Sequence, residues 1–296
     1  MRHAARKFKI TWLDVVVVTA VVFFAAYTVN QVNSQLVYRW DWQQLMTYFV
    51  KYDEKLGEWA PNLIIEGLLI TLRVSIWAAL AGLALGLVMG LCRVSSVAFF
   101  RMLSRGYVEL VRNMAPVPFL FIMFFFVGNQ LFKPLDLPAM MQAVSPGTRE
   151  VVEWLFGDSN LLRNFFAAVV ALAIYEGAYI TEIVRAGIQS IERGQWEAGY
   201  SIGLSRLSVL QKIVLPQAFQ RVAPPLANQS IQLIKDSALV SLVSIQELTF
   251  MGQEIAHSTS RFFETWLIIA GIYFVVCFGL SRVYARLERR LNKGQH

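Results

Sequence analysis

The chain has 296 residues, 56% of them hydrophobic and only 16% charged, with a mean hydropathy of +0.49, whereas an average soluble domain carries about 25% charged residues. That composition excludes an ordinary soluble domain and reads as an integral membrane protein. The net charge of +7 does not indicate nucleic acid, because Lys and Arg fall in the short gaps between apolar runs, where they encode membrane topology.

A helix rising about 1.5 Å per residue needs about 20 residues to cross a hydrocarbon core about 30 Å thick, and six runs approach that length with few charges. The first, Val15 to Tyr38, follows a basic start of Arg2, Arg6, Lys7 and Lys9. It is long, and no clean small-residue cleavage pattern follows, so a retained span over residues 12–32 is expected rather than a signal peptide. The next gap holds Trp40, Asp41, Trp42, Asp53, Glu54, Glu58 and Trp59, which suits an interfacial belt and short amphipathic caps. The second run, Gly67 to Cys92, carries Gly82, Gly86 and Gly90 four residues apart, a small-residue face on which another helix packs closely. Arg73, two turns from Glu66, is expected to snorkel to the outer interface. In the third run, Asn113 to Phe132, Pro116 and Pro118 predict a kink, and the phenylalanines from Phe119 onward are expected to face lipid. A short outer helix is predicted around Arg149 to Phe156. The fourth run, Arg163 to Val184, contains Glu176 and Glu182. The fifth, Ala218 to Gln246, contains Arg221, Lys235 and Asp236, and the sixth is Thr265 to Ser281.

Assigning the gaps alternately puts 18 of the 27 Lys and Arg on the side of the N-terminus, so the positive-inside bias places both termini, and residues 185–217, in the cytoplasm. Cys92 and Cys277 lie inside apolar runs and His3, His257 and His296 are scattered, so neither a disulfide framework nor a metal site is indicated.

The cytoplasmic stretch EAGYSIGLSRLSVLQKIVLP, residues 197–216, is compact and rich in small residues. A short helix is predicted from Ile191 to Ile202, with Glu192 in its first turn, where a carboxylate favours the helix dipole. Gly203 supplies a left-handed stop. Ser205 then caps a second helix with Leu207, Leu210 and Val214 on one stripe, and Pro216 disturbs its continuation. Ala198, Gly199, Ser201 and Gly203 keep one flank low. On physical grounds alone, this is either a tight-turning loop or a surface that another chain approaches closely.

The stretch resembles the EAA loop of binding-protein-dependent ABC transporter permeases, whose pattern is Glu-Ala-Ala, three residues, Gly, nine residues, Ile, one residue, Leu-Pro. Glu197, Ala198, Gly203, Ile213, Leu215 and Pro216 fall at each expected spacing, and Gly199 replaces the second Ala. The flanking words TEIVRAGIQSIERGQWEAG and NQSIQLIKDSALVSLVSIQEL resemble the polar amino acid uptake subfamily, over about residues 62–288. The resemblance implies an all-α integral membrane protein with a five-helix importer core at residues 62–288, here preceded by an N-terminal extension, residues 1–61, with one additional span. It implies that the loop at 191–216 is a coupling helix seated on a separate ATPase subunit. It further implies two ATPase copies, a second permease subunit, identical or related, and a periplasmic or tethered amino-acid-binding protein, all at a bacterial inner membrane. The chain has no Gly-x-x-x-x-Gly-Lys-Ser/Thr phosphate loop, so ATP is expected on the partner and no cofactor on this chain. An ion-gradient-driven carrier would need internal ion sites and no ATPase, and the EAA spacing argues against it.

Ionisable groups at membrane depth are costly and face cavities or partners. A fifth helix starting near Pro216 would carry Lys235 to the far surface, whereas one starting at Pro225 would leave it near mid-membrane. Lys235, Asp236 and Ser237 therefore admit three roles: lining the pathway, forming a gate or ion pair, or snorkelling. Glu176 is either a lining group for an amino acid's ammonium or part of an internal pair with Arg73 or Lys235. Glu182 and Arg185 read as a local strut.

Overall fold

A computed structural model describes residues 11–292, apart from residues 36, 37, 39, 55, 56, 133 and 136. The N-terminal cations, with Arg39, Lys55, Lys133 and Lys293, lie outside the described residues. The chain forms two compact units, Met1–Trp42 and Gln43–His296.

The first unit contains α1 (Trp12–Gln35), whose apolar stretch covers Trp12–Thr28. Its start is fixed by Asp14, whose carboxylate accepts the Thr11 N–H at 2.7 Å while the Thr11 carbonyl accepts the Asp14 N–H at 2.9 Å, a reciprocal cap for otherwise unpaired donors.

In the second unit, α2 (Trp42–Met46) buries Leu45 against Ile64, Leu248, Ile255 and Ile269. A hairpin of β1 (Val50–Asp53) and β2 (Glu58–Pro61) follows where only amphipathic caps were expected. The alternation Val-Lys-Tyr-Asp puts Tyr52 opposite Trp59, with rings 5.5 Å apart edge-on, and such cross-strand aromatic pairs stabilise a two-stranded ribbon.

Asn62 caps α3 (Leu63–Val94). Gly82, Gly86 and Gly90 form a buried face of α3 against α9 (Leu162–Gln189). An added Cβ would meet Ala173 O at 3.3 Å from Gly82, Ile180 Cγ2 at 2.4 Å from Gly86 and Val184 Cγ1 at 2.6 Å from Gly90, so the two backbones approach to a distance that only glycine permits. The amphipathic α4 (Ala98–Arg112) is linked to α5 (Pro116–Ile122) by a bend of 114°, with Pro116 in the first turn of α5, where its missing N–H costs nothing. Beyond α5 the third span continues through a π-helical turn, Met123–Gly128, into α6 (Asn129–Phe132). Its phenylalanines divide: Phe126 is 69% exposed, but Phe119 and Phe124 are buried, correcting the expectation that they face lipid together.

Short helices α7 (Leu137–Gln142) and α8 (Pro146–Phe156) and a 3-10 turn, Ser159–Leu161, lead into α9. After α9 come α10 (Arg193–Ser201), α11 (Arg206–Val209), a π-helical turn at Leu210–Val214 and α12 (Leu215–Asp236). The fifth span then breaks into a 3-10 helix, Ser237–Val243, before α13 (Leu248–Thr259) and α14 (Phe262–Asn292). Among the described residues three helical stretches, Leu63–Val94, Ser159–Gln189 and Phe262–Arg289, are long and apolar enough to cross a membrane, and the bent pair of α4 and α5–α6 makes a fourth. α12 falls short of that test because it carries Gln, Asn, Arg and Lys along one side.

Candidate functional site

Cluster packing places the 191–216 loop at one end of the bundle. Ile180, Val184 and Ile188 of α9 join Ile191, Val209 and Val214, with Val94 and Trp196 packed against them. Gly203 ends α10 with φ of +82°, its N–H bonded to the Tyr200 carbonyl at 2.9 Å, while the Leu204 N–H reaches the Gly199 carbonyl at 3.1 Å. This is the left-handed stop that glycine adopts without steric cost. The Ser205 hydroxyl accepts the Ser208 N–H at 3.3 Å and caps α11. Pro216 does not interrupt the chain as expected. The Leu215 N–H bonds five residues back to Leu210 O, and this π-turn carries α11 into α12 with Pro216 in the first turn of α12, where a proline is tolerated.

The sequence-predicted residues of this element separate into two faces. Glu197, Ala198, Gly203 and Pro216 are exposed; Ile213 and Leu215 are half-buried and packed on the loop's apolar cluster. Gly199 is buried rather than part of the open flank: a Cβ there would lie 2.8 Å from Val209 Cγ2 and 2.9 Å from Ile213 Cδ1. Its smallness serves packing inside the loop. The predicted stripe also rotates, since Val209 is fully buried whereas Leu207 is 62% exposed. With Tyr200 and Ile202 it leaves an apolar surface around the Gly203 turn. Arg185 donates to Glu182 from Nε at 2.8 Å and from Nη2, so the predicted strut is present, and Arg221 Nη1 donates to Ser190 O, tying the C-terminal end of α9 to α12.

A second set of predicted residues meets inside the bundle. Glu176, fully buried at the middle of α9, accepts the Gln229 Nε2–H at 2.5 Å on Oε2. Its Oε1 has no hydrogen-bond partner of good geometry, and the carboxyl interacts with that of Asp236. Gln232 Nε2 donates to Asp236 Oδ1 at 2.9 Å. Glu176 therefore does not pair with Arg73 or Lys235; its companions are an amide and a second carboxyl. Ser237 is fully buried, its hydroxyl donating to Ile234 O at 2.8 Å, so it offers no open lining group. Lys235 is exposed, and no ion pair joins it to Asp236 among the described residues. α12 starts at Leu215, yet Lys235 stands only six residues beyond Gln229, about 9 Å along a helix past the level of Glu176.

Gln229 and Gln232 were not singled out from sequence. The readable signal was their spacing, since 229, 232 and 236 recur at intervals of three and four and share one helical face. Arg221, Asn228, Gln232 and Lys235 form a neighbouring exposed stripe. A polar stripe exposed on a membrane-spanning helix is costly against lipid and is accommodated by water or by another protein surface. Glu247 was also missed: it is fully buried and accepts from Phe250 N at 2.9 Å, Tyr273 OH at 2.8 Å and Thr71 Oγ1 at 3.2 Å, which makes it a satisfied structural cap of α13.

Residues 82–293 match the family described as binding-protein-dependent transport system inner membrane component. The chain belongs to this family of permeases. The L-cystine transport system permease protein TcyB of Bacillus subtilis (strain 168) is 35% identical over 228 residues, covering 77% of this chain and 86% of the relative. The glutamine transport system permease protein GlnP of Escherichia coli (strain K12) is 34% identical over 232 residues, covering 78% and 94%. A crystal structure of "an amino acid ABC transporter with histidines" matches with a TM-score of 0.66 at 30% identity, over 86% of this chain and all of that one. The methionine transporter MetNI, at 19% identity and a TM-score of 0.58, shares the fold. The permease is accordingly the multi-pass inner-membrane component of a transport system that works with a binding protein and an ATPase.

Proposed function

We propose that the permease carries a polar amino acid, of the glutamate, glutamine, aspartate or basic type, into the cytoplasm by alternating access. ATP is hydrolysed on two copies of a partner ATPase, and this chain binds no cofactor and no metal. A second permease subunit, a copy or a relative, completes the pathway, and a periplasmic or tethered binding protein delivers the solute. Both termini and the 191–216 loop face the cytoplasm. The names of the relatives support the amino-acid class.

One observation carries the coupling role: a rigid helix–turn fixed by Gly203 presents Tyr200, Ile202 and Leu207 outward while Gly199, Val209 and Val214 lock it onto the end of α9. Such an element transmits rigid-body motion of a neighbour into the spans. Nucleotide state then biases two packings of the bundle. The exposed stripe from Arg221 to Lys235, beside the Glu176–Asp236 carboxyl pair, is the surface that lines the path between permease subunits.

The test is a cysteine at Ala198 in intact membranes, together with uptake into vesicles. Crosslinking to the ATPase, and uptake that requires both ATP and binding protein, are expected. Uptake that continues without any ATPase would instead make the chain an ion-gradient-driven carrier.

A further inference from the structure

At the end of the bundle opposite the 191–216 loop, a cavity of about 370 Å³ opens between the first turns of α3, the turn joining α8 to α9, and the turn before α13. Its floor is apolar, formed by Ile70, Phe156 and Phe165; its charged groups are Glu66, Arg73 and Asp158, beside the neutral polar groups Asn164, Ser244 and Gln246. The volume lies within the range of roughly 300–1,000 Å³ typical of small-molecule sites.

Three features point to a ligand. Arg73 is half-buried and, among the described residues, its guanidinium has no hydrogen-bond or ion-pair partner. A partly desolvated guanidinium is an unfilled fork for a carboxylate. Gly157 forms the facing wall with φ of +95°, and a Cβ there would meet Ile70 Cδ1 at 2.8 Å and come within 3.6 Å of Arg73 Nη1, so backbone lines the cavity where a side chain would fill it. Acceptors of opposite charge stand nearby. Asp158 spends Oδ1 on the Asn160 backbone and side-chain N–H groups. Glu66 shares a face with Arg73 two turns away, about 10.5 Å along the helix, and reaches Lys51 only at 3.6 Å.

A site with one free guanidinium, two carboxylates and an apolar floor suits a zwitterion. We infer that this cavity is a vestibule site that binds a free amino acid, its α-carboxylate on Arg73 and its ammonium on Asp158 and Glu66. The site is separate from the mid-span Glu176–Asp236 cluster. Its ligand class and its position on the outer face rest on the transport reading above.

The full chain, assembled with its ATPase in phosphatidylcholine vesicles, carries Asn164→Cys in a Cys92→Ser, Cys277→Ser background and is labelled from outside with a membrane-impermeant maleimide. L-Glutamine and L-arginine are the probes. Both are expected to slow labelling. Glutarate, which has no ammonium, and putrescine, which has no carboxylate, leave it unchanged. Arg73→Gln raises the half-protecting concentration by roughly tenfold or more, the loss expected for one charged hydrogen-bonding partner. Arg73→Lys recovers part of that loss, and Asp158→Asn weakens protection with the guanidinium intact. Equal protection by glutarate overturns the proposal, as does slow labelling in phosphatidylglycerol vesicles without amino acid, which assigns Arg73 to a lipid headgroup. Unaltered protection in Arg73→Gln, or no protection at all, also overturns it. ATP-driven uptake by the same vesicles, measured with the binding protein added outside, separates the two readings: uptake without protection removes only the vestibule, and protection without uptake removes only the transport assignment.

Discussion

Replacing Gly199 with alanine restores the second alanine of the EAA pattern, and the packing turns this into a quantitative test. In mid-helix, alanine gains about 0.8–1.0 kcal/mol over glycine from backbone propensity. Opposing this, the new Cβ would lie 2.8 and 3.1 Å from the two γ carbons of Val209 and 2.9 Å from Ile213 Cδ1. Ile213 can swing its terminal methyl aside. Val209 is fully buried and β-branched, so it must leave its rotamer or α10 must retreat, at a cost of roughly 1–3 kcal/mol. Gly199→Ala alone is therefore expected to loosen the loop by about 0–2 kcal/mol. In a Val209→Ala background the clash is gone, and the same substitution should tighten it by about 1 kcal/mol. Hydrogen exchange of residues 193–216 in the purified permease–ATPase complex reads the local opening free energy in all four proteins. The expected coupling is about 1–3 kcal/mol with a change of sign between backgrounds. Equal effects of Gly199→Ala in both backgrounds would refute the argument that Gly199 packs inward.

The interior offers further tests. Gly86→Ile places a side chain where Ile180 Cγ2 already stands 2.4 Å from a modest Cβ, so α3 and α9 must part; a loss of about 1–3 kcal/mol or more should appear as a lower thermal midpoint. Gly106→Ala on α4, with nothing within 4 Å of its Cβ, is expected to raise it by the gain in helix propensity. Glu247→Ala leaves the Phe250 N–H and the Tyr273 hydroxyl without their acceptor; each buried orphan costs about 1–3 kcal/mol, and Glu247→Gln, which keeps one carbonyl oxygen, should lose less in the same melt. Glu153 is held below the usual carboxylate range by a hydrogen bond from Ser159 and then by Arg149, which donates at 3.1 Å. Its folded value is below its unfolded one, so this contribution is present above the ordinary glutamate range and is lost as pH falls through the folded value. Exchange in residues 146–161 should rise on acidification, and Glu153→Gln should flatten that dependence.

Much of this organisation is legible in the one-dimensional pattern, because each feature depends on neighbours within a turn or two. The second, fourth and sixth apolar runs, and the third within the bent pair, map onto stretches that can cross a membrane among the described residues, the Gly82–Gly86–Gly90 repeat onto the seam with α9, and Gly203 and Ser205 onto their caps. The motif spacing from Glu197 to Pro216 marked the loop. Other readings failed where a second element intervened. Pro216 reads as a breaker, but a π-turn absorbs it, and the phenylalanines of the third span divide according to which face meets α9.

The sequence by itself determined that this chain spans a membrane, where its apolar runs and the caps at Gly203 and Ser205 lie, and that it carries the loop of its transporter family, since composition, periodicity and local capping are properties of contiguous residues. Tertiary structure alone decided that Glu176 meets Gln229 and Asp236 rather than Arg73, that Gly199 faces Val209, and that Arg73 opens into a cavity beside Gly157. Those partners are separated by ten residues or more, and most of them by more than fifty. The free energy of a buried charge or a close backbone contact is set by what the fold brings against it, which no local pattern encodes.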